Sequence, residues 1–153
     1  MLRGRRGLMD AAENPELSRR TRLLLVLLVA EIVSTAVHYG DNWLEIGDYP
    51  GSDKLPGAAS VPIAWFLLTA VGLIGYHLYK TEFSRRAHLL LVIYSATGIS
   101  SLAHFIYGAP EHPIQIVSVG FDGLTGFAML TFAIWSYANP LRVPARRRAA
   151  VAG

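Results

Sequence analysis

Glu31-Ile-Val-Ser-Thr-Ala-Val-His-Tyr-Gly-Asp-Asn42 sets two ionisable side chains inside an otherwise apolar run. Glu31 and His38 lie two helical turns apart on one face, and Asn42 extends that face by a further turn. An ionisable group in hydrocarbon costs a few kcal/mol or more, so it is expected to face a protein interior and to mark a site. The rest of the chain reads as the means of building that interior.

Around this stretch the sequence alternates long apolar runs with short charged segments. Charged residues make up 16% of the 153, against about 25% in soluble domains. Apolar spans are expected at about Leu23–Tyr39, Val61–Tyr79, Ala87–Tyr107 and Ile114–Tyr137, each near or above the roughly 17 residues needed to cross a bilayer. Gly40 reads as the stop of the first span and Pro15 as a break before it. The expectation is an all-α, four-helix transmembrane bundle spanning 23–138. A basic tail, 1–22, precedes it and another, 139–153, follows. No cleavable signal peptide is expected, because the first apolar run starts late and no small-residue cleavage pattern follows it.

The chain has no cysteine, which excludes disulfides, thiolate metal sites and cysteine nucleophiles. The basic balance does not call for nucleic acid, because its charges flank the apolar spans. Thirteen of the fourteen Lys and Arg residues fall in the two tails and the second-to-third connector, and Lys54 stands alone on the other side. By the positive-inside rule both termini are expected in the cytoplasm and the protein in a plasma membrane. Trp43, Tyr39, Tyr49 and Tyr107 fit an interfacial aromatic belt.

Depth follows from the rise of about 1.5 Å per residue. Glu31 and Asp122 both fall roughly 13 Å below the outer surface, with His38 and His104 above them. Two carboxylates and two imidazoles on three helices are thus expected to line one outward-facing cavity. Three readings of that group stand open. Glu31 and Asp122 suit acid–base chemistry as the catalytic pair. Glu31, His38, His104 and Asp122 suit a divalent metal such as zinc, iron or manganese. The same residues also serve as hydrogen-bonded struts between helices. Asp41, Asn42 and Ser101 are expected in the surrounding shell, with Asp41 and Asn42 either ending the helix or fixing the His38 tautomer. His77 and His88 read as interfacial, His112 as a loop residue, and the serines lack a nucleophile-elbow context. Gly72, Gly75, Gly98, Gly120, Gly123 and Gly126 would let helices approach closely.

The run His38-Tyr-Gly-Asp-Asn42, followed by Tyr49-Pro50 and three more spans, resembles a group of small bacterial integral membrane proteins without assigned function. In architecture alone the chain is similar to emopamil-binding-type isomerase and sterol-binding domains, which also hold acidic and histidine residues in a bundle cavity. Those resemblances imply a membrane enzyme or a binder of an apolar, lipid-like ligand such as an isoprenoid. A proton- or cation-handling transporter, a homodimer, or an accessory subunit of a membrane complex are the other classes that the residues allow.

Overall fold

The computed structural model describes residues 14–48, 57–107 and 113–141. The expectations for the far ends of both tails, for Tyr49 and Lys54, and for His112 fall outside them. Within them the chain forms α1 (Pro15–Leu44), a 3-10 turn (Ile46–Asp48), α2 (Ser60–Glu82), α3 (Arg85–Ser101), α4 (His104–Tyr107) and α5 (Pro113–Ala138). Four helical stretches, Pro15–Leu44, Ser60–Glu82, Arg85–Ile106 and Pro113–Ala138, are long and apolar enough to cross a membrane.

The long helices run up and down, each beside the next, and α5 closes the ring against α1. One end of the bundle carries the start of α1 and the end of α5 and is here called the terminal end. The other carries α4 and the C-terminus of α1 and is called the loop end. The distribution of side chains is inverted relative to a soluble bundle. Val26, Val33, Phe66, Leu67 and Leu124 are each more than half exposed, while Glu31 and Asp122 are fully buried. Apolar surface on this scale marks contact with another apolar phase, and for spans of this length that phase is lipid.

Local chemistry moves several boundaries away from those the sequence suggests. Pro15 starts α1 rather than interrupting it. Asn14 caps the helix by accepting from the Glu16 and Leu17 N–H groups at 3.1 and 3.2 Å, and proline at the first position has no N–H to lose. Arg19, Arg20 and Arg22 therefore belong to α1 rather than to a loose tail. At the other end α1 runs through Gly40 to Leu44, and the Glu45 N–H closes it on the Asp41 carbonyl at 2.9 Å. A mid-helix glycine costs only about 1 kcal/mol, which one added turn of helix offsets. The α2–α3 connector shrinks to Phe83 and Ser84. Phe83 takes a left-handed conformation, φ 46°, with its ring against Tyr79 and His88.

The third span is not one continuous helix. Ser100 Oγ donates to the Thr97 carbonyl and Ser101 Oγ to the Gly98 carbonyl, a back-bonding that bends helices. Tightened bonds such as Leu102 N–H to Ile99 O then lead into α4. Opposite this break, α3 and α5 cross with backbones in contact. A Cβ on Gly98 would collide with the Asp122 carbonyl, and one on Gly126 would lie 2.7 Å from the Ser95 carbonyl. Gly72 seats the Tyr94 ring and Gly123 the Leu102 side chain, but Gly120 faces open space and takes no part in packing.

Replacing Gly98 by valine should force α3 and α5 apart, and overpacking of this kind costs about 1–3 kcal/mol or more. The expected result is a lowered unfolding midpoint for Gly98→Val in detergent, with Gly120→Val close to wild type. Equal midpoints would show that the two helices do not cross there.

Candidate functional site

One face of α1 carries Glu31, Ser34, Thr35, His38 and Asn42 at helical spacing, and it turns into the bundle. Because α3 and α5 touch through glycine, Asp122 reaches this face directly. Ser34 Oγ donates to Asp122 Oδ1. The second carboxyl oxygen, Oδ2, lies 3.8 Å from His38 Nδ1, and neither of those two atoms has a hydrogen-bond partner. The far nitrogen of the same ring, Nε2, lies 3.0 Å from the Asn42 amide nitrogen. Since that nitrogen donates, Nε2 accepts and the imidazole proton sits on Nδ1, aimed at Asp122. About 1 Å of movement would complete a hydrogen bond.

Glu31 lies beneath, within electrostatic reach of Asp122 and against the Gly98 backbone. It is fully buried, and neither of its carboxyl oxygens has a partner. Tyr94, also fully buried, sits near Glu31, Thr35 and Thr69. Thr35 is fixed from both sides: it donates to the Glu31 carbonyl at 2.7 Å and accepts from the Trp65 indole at 3.1 Å. These bonds tie α2 to the polar face of α1.

Above the carboxyls, at the loop end, a cavity of about 380 Å³ lies between α1, α2, α3 and α4. His38, Tyr39 and Asn42 form one wall, Ser60 and Ala64 a second, and Thr97, Ser100 and His104 a third. The break after Ser101 turns His104 towards α1, and its ring centre lies 5.1 Å from that of His38. His38 therefore belongs to the cavity and to the sealed carboxyl layer at once.

The structure thus gathers Glu31, His38 and Asp122 and sets His104 beside His38. Among the described residues no three His, Asp or Glu side chains are grouped so as to hold a metal ion. Of the surrounding shell, Asn42 engages His38 directly, and Asp41 lies within electrostatic reach of it. Ser101 lines the same cavity, and its hydroxyl donates to the Gly98 carbonyl at 2.6 Å. Ser34, Thr35 and Trp65 were not anticipated as site residues. Ser34 and Thr35 had a visible signal, since they share the helical face of Glu31 and His38.

A second buried polar group occupies the terminal end. His88, in the first turn of α3, is packed inside the bundle at 5% exposure, boxed by Tyr79, Phe83 and Tyr137. Its Nδ1 lies 2.9 Å from the Ser84 carbonyl, so Nδ1 carries the proton. Nε2 then accepts from Ser136 Oγ at 3.4 Å, and Ser136 accepts from the Tyr79 hydroxyl at 2.7 Å. A layer containing Leu24, Leu28, Leu91 and Met129 separates the two polar groups.

No family model, no curated protein and no solved structure matches the chain. Fold and site together define a multi-pass helical membrane protein with an acidic and histidine-bearing interior.

Ser136→Ala removes the hydroxyl that joins Tyr79 to His88 and leaves His88 Nε2 buried without its partner, a loss of about 1–3 kcal/mol. Thermal unfolding in detergent should show a lowered midpoint, whereas the exposed His77→Ala should change little. An unaltered midpoint for Ser136→Ala would show that His88 is not tied into the bundle.

Proposed function

We propose that the protein is a membrane-embedded acid–base enzyme acting on a small amphipathic, lipid-derived ligand held in the loop-end cavity. The observation that carries this reading is the line Asn42–His38–Asp122. One imidazole nitrogen is at the cavity wall and the other faces a buried carboxyl. A cavity of about 380 Å³ is of ligand size, at the lower end of the usual range. The chemistry is a proton shift within one molecule. Asn42 releases Nε2, which takes a proton from the ligand, while the proton on Nδ1 moves to Asp122 Oδ2. Returning the proton to a different carbon moves a double bond and leaves the enzyme unchanged, so no oxidant or reductant is needed. Glu31 beside Asp122 keeps the site acidic.

The positive-inside rule supports a reading with both termini in the cytoplasm and the cavity on the outer side of a plasma membrane. A transport role is less well supported, because the apolar layer below Glu31 interrupts any polar path to the terminal end.

Reconstituted protein incubated in deuterated water with a bacterial lipid extract should place solvent deuterium into a lipid-derived molecule, read by mass spectrometry. Asp122→Asn and His38→Gln should lower that incorporation by about 10²–10⁴-fold while keeping the helical circular dichroism. Incorporation no greater than in empty vesicles, or unchanged in both variants, would refute the proposal.

A further inference from the structure

On the lipid-facing side, α1 and α5 leave a groove of about 530 Å³ between them. It does not open on the polar site described above. Leu23 and Leu27 form one wall, and Leu124, Phe127, Thr131 and Trp135 form the other. From Leu124 to Trp135 the groove runs for roughly 17 Å at helical rise, close to the ~15 Å depth of one leaflet's hydrocarbon.

The charge at its terminal end argues for one occupant. Arg19, Leu23 and Leu27 recur at four-residue steps and so share one face of α1, with Arg19 about 6 Å beyond the groove mouth. Glu16, the acidic residue in the first turn, is taken by Arg20 at 2.8 Å. Arg20 is itself committed: its guanidinium lies 4.4 Å over the Trp135 ring and donates to the Asn139 carbonyl at 2.6 Å. That stacking fixes Trp135 as the wall at the terminal end of the groove. Arg19 is exposed and makes no ion pair among the described residues. An apolar slot with a guanidinium one turn beyond its mouth that makes no ion pair among the described residues fits an acyl chain with a phosphate at its head.

We infer that the α1–α5 groove is a binding site for one anionic glycerophospholipid, its acyl chain against Leu23, Leu27 and Phe127 and its phosphate on Arg19. The site is independent of the acid–base chemistry. It would seal the α1–α5 seam, which also carries Asp122 and its contact with Ser34.

The test uses the full chain in detergent, with phosphatidylglycerol or phosphatidylcholine added, and counts retained lipid by native mass spectrometry. One phosphatidylglycerol per chain should be retained at concentrations where phosphatidylcholine is not. Arg19→Gln should weaken retention about fivefold, the equivalent of one basic residue at a membrane surface. Ala128→Trp, which fills the groove, should abolish it. Arg19→Gln alters an exposed position and so remains informative if Ala128→Trp does not fold. Equal retention of both lipids, retention unaffected by Arg19→Gln, or a second copy of the chain in place of lipid would overturn the inference.

Discussion

Two carboxyls that water does not reach, on helices whose outer faces are apolar, set the terms for the rest of this molecule. Glu31 and Asp122 are tolerable in such a place only if protein groups surround them. The bundle supplies those groups by bringing α5 against α3 through Gly98 and Gly126, so that Asp122 meets Ser34 and His38. Packing and polarity are therefore one problem here. A side chain added at the glycine crossing would separate the helices and leave the acids without their neighbours.

From that arrangement follows a division along the bundle. The loop end holds a cavity whose wall includes one face of His38. The middle holds the carboxyls, Thr35 and Tyr94, with several polar atoms left without partners. Below them comes an apolar layer, and below that the Tyr79–Ser136–His88 chain. The terminal-end group is saturated with hydrogen bonds and reads as a structural tie. The middle group instead brings two buried carboxyls, an imidazole and a phenol together.

Much of this was legible in the sequence, for identifiable reasons. A period of 3.6 residues puts Glu31 and His38 on one face, and rise per residue puts Asp122 at the level of Glu31. Neither inference needs knowledge of neighbouring helices. What was not legible depends on contacts distant in sequence or on weak local preferences. Ser136 and His88 lie far apart in the chain, and no spacing rule pairs them. Gly40 and Pro15 look like breaks, yet a proline at the first helical position and a glycine inside a long span cost too little to stop a helix. The bend after Ser101 arises from two serine hydroxyls turned on their own backbone. That bend, rather than a continuous third span, aims His104 at His38.

The account rests on the interior face of α1 meeting Asp122. The chain has no cysteine of its own, so a single introduced pair reports contact without background. Ser34→Cys combined with Asp122→Cys should form an intramolecular disulfide on mild oxidation in native membranes. Val33→Cys with Asp122→Cys, which moves the first thiol to a lipid-facing position, should not. Cross-linking of the Val33 pair but not the Ser34 pair would place Asp122 outside the bundle and contradict the account.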